Sequence, residues 1–146
     1  MTKYLAVDYG LERTGLAISD PDGRMAFPLL TLTLKACGTR KALMDELARI
    51  ARQNGAQALV MGLPLHDDGS ESETSIQVRN AAGRIRRRLP LPFYWMPEYL
   101  SSAHAESCLR AARIPHKRLK GALDQYAACA ILESFLDLPE ARRLPA

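Results

Sequence analysis

Three carboxylates stand at positions from which side chains of separate elements can meet in one site. Asp8 ends the first apolar segment, Glu98 follows a late one, and Asp124 opens the last predicted helix. In open α/β sheets, functional sites form at the carboxyl ends of strands, particularly where the strand order reverses. We therefore expect these three acids to converge on one cleft.

Such a cleft would suit hard divalent cations. Mg²⁺ and Mn²⁺ bind carboxylates together with water and phosphate oxygens. Two ions about 3.5–4 Å apart can activate a water and stabilise the leaving oxygen when a phosphodiester is hydrolysed. The sequence has no His or Cys cluster that would favour a softer metal.

Each acid also has a purely structural interpretation. Asp8 can accept hydrogen bonds in the turn that Gly10 helps to make. Asp124 can cap a helix N-terminus, and Glu98 can be a solvated side chain on a strand-end loop. Taken one at a time, the acids do not decide between these roles and metal binding.

The elements that must position the acids follow from hydrophobic periodicity. Apolar segments near residues 4–7, 14–19 and 25–32, with a turn at 20–23, predict three antiparallel strands. Helical periodicity after Thr39, a strand at 58–61, a helix with a capping box from Ser70 to Glu73, and a strand at 93–96 follow. A third helix capped by Ser101 or Ser102, a basic connection, and a last helix complete the order.

This order predicts an α/β fold with a mixed five-stranded sheet. Three antiparallel strands come first, and parallel crossovers then place helices on both faces. At 146 residues the chain has room for one domain, which we expect over residues 1–138, with a frayed tail at 139–146.

Charge and composition narrow the classes of function. The net charge is +4, and cations crowd two segments, residues 84–88 and 110–120. The first cluster is more typical of a solvated helix end than of a nucleic-acid contact, whereas the second suits a phosphate backbone. Three separated cysteines indicate neither a zinc site nor a disulfide framework. We expect a cytoplasmic protein, since the sequence shows no secretory signal and no membrane-spanning stretch.

Four motifs together resemble the YqgF/RuvX family. Val7 to Asp20 (V-D-Y-G-L-E-R-T-G-L-A-I-S-D) is similar to its opening motif, and Gly62–Leu65 with the segments 68–73 and 78–79 is similar to its second. Glu98 with Leu100, Ser101 and Ser102 falls on its third, and residues 120–132 on its last. The motifs span about residues 4–136 in the family's order.

The resemblance implies a ribonuclease-H-like fold in which Asp8, Glu98 and Asp124 are the catalytic metal ligands. It also implies cleavage of structured nucleic acid, either pre-16S rRNA during 5′-end processing or branched DNA as a Holliday junction resolvase. We expect a monomer or a homodimer, because a symmetric junction favours two-fold symmetry. The chain departs from the family pattern at Pro97 and Tyr99, where Asp and Arg are usual.

Six further residues are predicted to contact nucleic acid. Arg13 lies in the turn beside Asp8, Ser70 and Arg79 belong to the start of a helix, and the cations of the basic connection lead towards Asp124. Structural alternatives are a solvated hairpin arginine for Arg13 and helix capping for Ser70. The predicted contacts are Arg13, Ser70, Arg79, Lys117, Arg118 and Lys120.

Two other functions compete with the metal-dependent endonuclease. The substitutions at Pro97 and Tyr99 are compatible with a non-catalytic RNA-binding factor of ribosome assembly. Asp8-x-Gly10 followed by Thr14 also resembles the phosphate loop of actin-like ATPases and sugar kinases. Those enzymes need two such lobes, however, and a chain of this length supplies one.

Overall fold

The structure, a computed structural model, describes residues 2–65, 72–98, 116–139 and 142–145, without the side chains of Glu98, residues 116–123 and Leu144. The strands are β1 (Tyr4–Asp8), β2 (Arg13–Ser19), β3 (Ala26–Thr33), β4 (Ala58–Pro64), β5 (Phe93–Glu98) and β6 (Leu144–Pro145). The helices are α1 (Leu34–Cys37), α2 (Arg40–Gln53), α3 (Glu73–Arg88) and α4 (His116–Leu136).

The strands form one mixed sheet in the order β3-β2-β1-β4-β5-β6. β1, β2 and β3 pair antiparallel, and β4 and β5 continue the sheet parallel to β1. The strand order therefore reverses between β1 and β4. The five main strands confirm the predicted mixed sheet, and the two-residue β6 adds a sixth.

Strand alternation gives the sheet two covered faces. Leu5 and Val7 of β1 pack into a core with residues of α2 and α3. Tyr4 and Ala6 of the same strand pack on the other face against Ile131 and other residues of α4. No helix among the described segments is long and apolar enough to cross a membrane.

The structure corrects several predicted boundaries. α4 begins at His116, so residues 117–120 are helical rather than a connection, and Asp124 lies inside the helix instead of opening it. The predicted capping box at Ser70 is wrong: Ser72 caps α3, and Ser75 completes the box. Ser70 and the helix predicted after Ser101 lie outside the described residues.

The tail also differs from the prediction. β6 pairs antiparallel with Tyr94 and Trp95 of β5, so residues 144 and 145 are part of the sheet instead of frayed. The short helix α1, capped by Thr33, was not predicted from periodicity. A four-residue helix is too short to show a repeating apolar face.

Candidate active site

Asp8 is the last residue of β1. It lies opposite Gly15 of β2 in the antiparallel ladder. Alternation along β1 puts Asp8 on the same face as Tyr4 and Ala6, the face that α4 covers. The carboxylate thus lies at the end of a buried strand and under a helix.

α4 approaches the sheet closely at this point because β2 carries a glycine there. A Cβ atom on Gly15 would lie 1.9 Å from the carbonyl oxygen of Asp124, a distance that no side chain can occupy. The missing side chain therefore allows the backbone of Asp124 to contact β2. This contact brings Asp124 beside Asp8 although the two are far apart in sequence.

Arg13 completes the cluster at the start of β2. Its Nε lies 3.4 Å from Oδ2 of Asp124, and the two side chains are 45% and 25% exposed. The same Oδ2 is buried and accepts no hydrogen bond from any described atom. Arg13 thus gives Asp124 an ion pair, but the buried oxygen retains unused capacity as an acceptor.

Burial raises the proton affinity of both carboxylates. The pKa of Asp8 rises from 3.8 to about 7, first because the group is desolvated and second because Asp124 lies nearby. Desolvation also raises the pKa of Asp124, and the charge of Arg13 opposes that rise. The site therefore binds positive charge, as protons or as a cation, more strongly than isolated carboxylates would.

A cleft of about 410 Å³ opens beside this cluster. One wall is the connection between β1 and β2, and the other comes from the first turns of α3. The lining residues are Tyr9, Gly10, Leu11, Glu12, Arg13, Thr74, Gln77 and Asp124. The cleft is open to solvent.

Comparison with known proteins identifies the family. A family model described as "RuvX: Holliday junction resolvase" matches residues 2–138. The chain belongs to the RuvX family. It is a nuclease, a hydrolase of phosphodiester bonds, as the sequence predicts.

Curated RuvX relatives are similar over nearly their full length. A protein of Nitratidesulfovibrio vulgaris (strain Miyazaki F) is 49% identical over 99% of both chains, and one of Oleidesulfovibrio alaskensis is 45% identical over 98% of this chain and 97% of its own. A Neisseria gonorrhoeae protein is 38% identical over 91% and 86%. Each bears the name "Putative pre-16S rRNA nuclease".

The solved structures confirm the ribonuclease-H-like fold. Thermus thermophilus RuvC in complex with a Holliday junction substrate superposes with a TM-score of 0.62 over 100% of both chains, at 14% identity. A second Thermus thermophilus RuvC structure gives a TM-score of 0.59 at 12% identity over 99% of both chains. At these identities the likeness concerns the fold alone.

The structure brings together three of the predicted site residues of this RuvX chain, namely Asp8, Asp124 and Arg13. Glu98 is the last residue of β5, opposite Pro64 of β4, and its side chain lies outside the description. Among the described side chains, no group of three or more His, Cys, Asp or Glu lies close enough to hold an ion. The third ligand therefore stays a prediction.

The other predicted contacts have different outcomes. Arg79 is exposed on α3, and its guanidinium lies 5.3 Å from the ring centroid of Trp95, a cation–π arrangement. The backbone of Lys117, Arg118 and Lys120 is helical, and their side chains are not described. Ser70 lies outside the described residues.

Sequence reasoning missed four residues of the cleft and its rim. Tyr9 lines the cleft, and its hydroxyl accepts a hydrogen bond of 2.7 Å from Nη1 of Arg40. Thr74 and Gln77 line the opposite wall. Because Tyr9 directly follows Asp8, the sequence could have predicted that it lies near the site. No sequence signal, however, predicts its hydrogen bond with Arg40, which is 31 positions away.

Proposed function

We propose that this RuvX protein is a metal-dependent endonuclease in which Asp8, Glu98 and Asp124 hold two Mg²⁺ or Mn²⁺ ions. The observation that supports the proposal is the pair formed by Asp8 and Asp124. Asp8, largely buried at the end of β1, and Asp124, partly buried on α4, lie close enough for Asp124 to raise the pKa of Asp8, and Arg13 forms an ion pair with Asp124. Such a pair is costly unless something neutralises it.

The residues present fit a hard divalent ion. Carboxylate oxygens are the ligands that Mg²⁺ and Mn²⁺ prefer, and the buried Oδ2 of Asp124 has no hydrogen-bond donor. A bound ion would supply an activated water and would offset the charge of the scissile phosphate. Asp8 and Asp124 would orient the ions, and Arg13, exposed at the cleft, would orient the phosphate.

Glu98 is proposed as the third ligand on the basis of strand alternation. Tyr94 and Met96 of β5 pack on the face that α4 covers. Position 98 continues the same alternation, so it belongs to the face that carries Asp8. β5 is separated from β1 only by β4.

Helical periodicity ranks the basic residues proposed as phosphate contacts. Lys120 and Lys117 lie four and seven positions before Asp124 in α4, which places both positions on its side of the helix. Arg118 lies six positions before Asp124, about 120° around the helix. Lys117 and Lys120 should therefore matter more than Arg118. Arg79 would contact the nucleic acid from the side of α3, and Ser70 stays a proposed contact.

The proposed substrate is the structured 5′ leader of pre-16S rRNA, because the curated relatives are named "Putative pre-16S rRNA nuclease". A branched DNA junction is the second candidate, supported by the family description. We further propose that the protein acts in the cytoplasm as a monomer or a homodimer, which sedimentation with and without substrate would distinguish.

Cleavage assays with an acid variant and a matched control test the proposal. The parent, Asp8→Asn and Asp22→Asn are incubated with a pre-16S rRNA 5′ leader and with a four-way DNA junction, in Mn²⁺, Mg²⁺ or EDTA. Asp22 is an exposed acid in the turn between β2 and β3. The parent and Asp22→Asn should cut only with metal, and Asp8→Asn should lose at least about 10³-fold in rate.

Two results would overturn the assignment. Cutting by Asp8→Asn at the parental rate would show that Asp8 is not a metal ligand. Binding of both substrates without cutting in any metal would support the non-catalytic RNA-binding factor, and reverting Pro97 and Tyr99 to Asp and Arg would then be the next step.

A further inference from the structure

A second cleft adjoins the catalytic one. Its volume is about 710 Å³, and it is lined by Glu12, Arg13, Thr33, Leu34, Lys35 and Gly38. Glu12 and Arg13 line both clefts, so the two are continuous along the surface. The backbone N–H of Leu34 donates to the carbonyl oxygen of Glu12 at 2.8 Å. This hydrogen bond holds the start of α1 against the connection between β1 and β2, which forms one wall of the first cleft.

Arg13 and Lys35 outnumber the one carboxylate, Glu12, among the residues that line the second cleft. Lys35 is exposed there, and Arg40 and Lys41 follow where α2 begins. Nη1 of Arg40 donates to the hydroxyl of Tyr9 at 2.7 Å, which connects Arg40 to the wall of the catalytic cleft. Among the described residues, no carboxylate pairs with Lys35 or Arg40.

The charge pattern of α2 is unfavourable for the helix itself. Arg40 and Lys41 occupy its first turn, and that turn contains no acid. The positive end of the helix dipole repels cations there and attracts anions. A local arrangement that opposes stability is expected where function requires it, here the binding of a negatively charged group.

We propose that Tyr9, Lys35 and Arg40 form a strand-binding groove for nucleotides on one side of the scissile bond. Lys35 and Arg40 contact successive phosphates, and the hydroxyl of Tyr9 positions Arg40. The inference rests on the proposed nuclease function and extends it from the reacting phosphate to the flanking strand. Its supports are continuity with the catalytic cleft and charge complementarity to a phosphodiester backbone.

A purely structural role for the same residues makes different predictions. If the bond between Tyr9 and Arg40 only fastens α2 to β1, its removal lowers stability and leaves substrate binding unchanged. If the groove binds the strand, the loss falls on KM and on the salt dependence of binding, whereas kcat is kept.

The test compares two double variants with equal change of charge. Lys35→Ala/Arg40→Gln removes two cations from the groove. Arg24→Ala/Arg87→Gln removes two exposed cations elsewhere, one in the turn after β2 and one in the last turn of α3, about 20 Å along the helix from the turn that lines the catalytic cleft. Thermal unfolding confirms that both variants are folded.

Binding to a labelled pre-16S rRNA 5′ leader and a labelled four-way DNA junction is measured in EDTA from 50 to 200 mM salt, and cleavage is measured with Mn²⁺. The groove variant should bind about tenfold or more weakly, and its slope of log Kd against log salt should fall by about 1.5. The control should keep the parental slope. Tyr9→Phe should raise KM by a smaller factor at unchanged kcat.

The outcomes separate this inference from the proposed function. If the parent binds and cuts, but the groove variant matches the control in KM and in the slope of log Kd against log salt, the proposed groove is wrong and the proposed nuclease function is unaffected. If the parent neither binds nor cuts either substrate, the proposed function itself fails. Shortening the substrate on one flank at a time should abolish the difference between parent and groove variant for one flank only.

Discussion

At the residue scale, two carboxylates that destabilise each other lie where metal binding is proposed. Asp8 at the end of β1 and Asp124 on α4 lie side by side and are both removed in part from water, and Arg13 pairs with Asp124. Such a pair lowers the stability of the metal-free fold, because each charge is desolvated and one repels the other. The same features increase the affinity of the site for a divalent cation.

The first prediction concerns the pH dependence of stability. The pKa of Asp8 is raised from 3.8 to about 7, so between about pH 4 and pH 7 the folded state keeps a proton that the unfolded state has lost. The free energy of unfolding should therefore fall as the pH rises through this window. At pH 8 without metal, Asp8→Asn should be more stable than the parent by about 1–3 kcal/mol.

Urea unfolding in EDTA at pH 5 and pH 8 measures this difference, which should be less than half as large at pH 5, because only the first part of the change between pH 4 and pH 7 has then occurred. Mn²⁺ should then stabilise the parent at pH 8 and have little effect on Asp8→Asn. If Asp8→Asn were less stable than the parent at pH 8, the ionised form of Asp8 would not be destabilised in the folded protein, contrary to the prediction.

At the element scale, the decisive contact is that of α4 on β2. The helix can reach Asp8 only because Gly15 leaves space for the backbone of Asp124. The first turn of α3 borders the same cleft from the other side, and its geometry depends on the capping box of Ser72 and Ser75. Helix placement therefore controls which side chains meet.

Two glycine variants should shift stability in opposite directions. A Cβ on Gly15 would meet the carbonyl oxygen of Asp124 at 1.9 Å, so Gly15→Ala should cost about 3 kcal/mol and lower activity by displacing α4. Gly83 lies within α3 with no atom within 4 Å of such a Cβ, and Gly83→Ala should stabilise by about 0.5–1 kcal/mol. Denaturant midpoints measure the stability of both variants, and cleavage assays measure their activity. Equal changes of stability in the two variants would contradict the close contact between Gly15 and the backbone of Asp124.

Capping gives a prediction for α3. The hydroxyl of Ser72 accepts the backbone N–H of Ser75 at 3.1 Å, and the Ser75 hydroxyl accepts the backbone N–H of Ser72 at 2.9 Å. Ser72→Ala should destabilise the protein by about 1 kcal/mol, since an N-terminal donor of the helix loses its partner. Ser72→Thr keeps a hydroxyl that can accept from Ser75 and donate to the carbonyl oxygen of Pro64, and it should restore most of the loss in chemical unfolding.

At the scale of the whole molecule, the two ends of the chain meet. Arg143 lies over the rings of Tyr4 and Phe135, with its guanidinium carbon 5.7 and 4.8 Å from their centroids. Its Nη1 donates to the hydroxyl of Tyr4 at 3.0 Å. The segment after α4 thereby closes over one face of the core, at the end of β1 away from Asp8.

This closure predicts a stability effect without a catalytic one. Arg143→Ala removes two cation–π contacts and three hydrogen bonds, those to the hydroxyl of Tyr4 and to the carbonyl oxygens of Leu138 and Leu136, so it should lower the free energy of unfolding by about 1–2 kcal/mol. Arg142→Ala, which removes an exposed neighbour, should change it by less than about 0.5 kcal/mol. Cleavage at a temperature where both variants are folded should equal that of the parent; a large loss would connect the tail to the site.

Periodicity predicted much of this fold because it is a local property. Alternating and continuous apolar segments identified the five main strands, and Thr39 identified the start of α2. It failed at the start of α4, where the polar residues 116–120 look like a connection, and at β6, which is too short to show a pattern. The choice between Ser70 and Ser72 as the cap of α3 required the actual backbone geometry.

The sequence by itself determined which residues could do the chemistry: the acid at the end of β1, the acid of the last motif, and the family to which they point. Only the tertiary structure decided that Asp8 and Asp124 lie side by side, that Arg13 pairs with Asp124, and that Arg40 donates to Tyr9. These pairings depend on how closely helices pack on the sheet. That distance is set by residues such as Gly15, whose effect lies in the side chain it lacks.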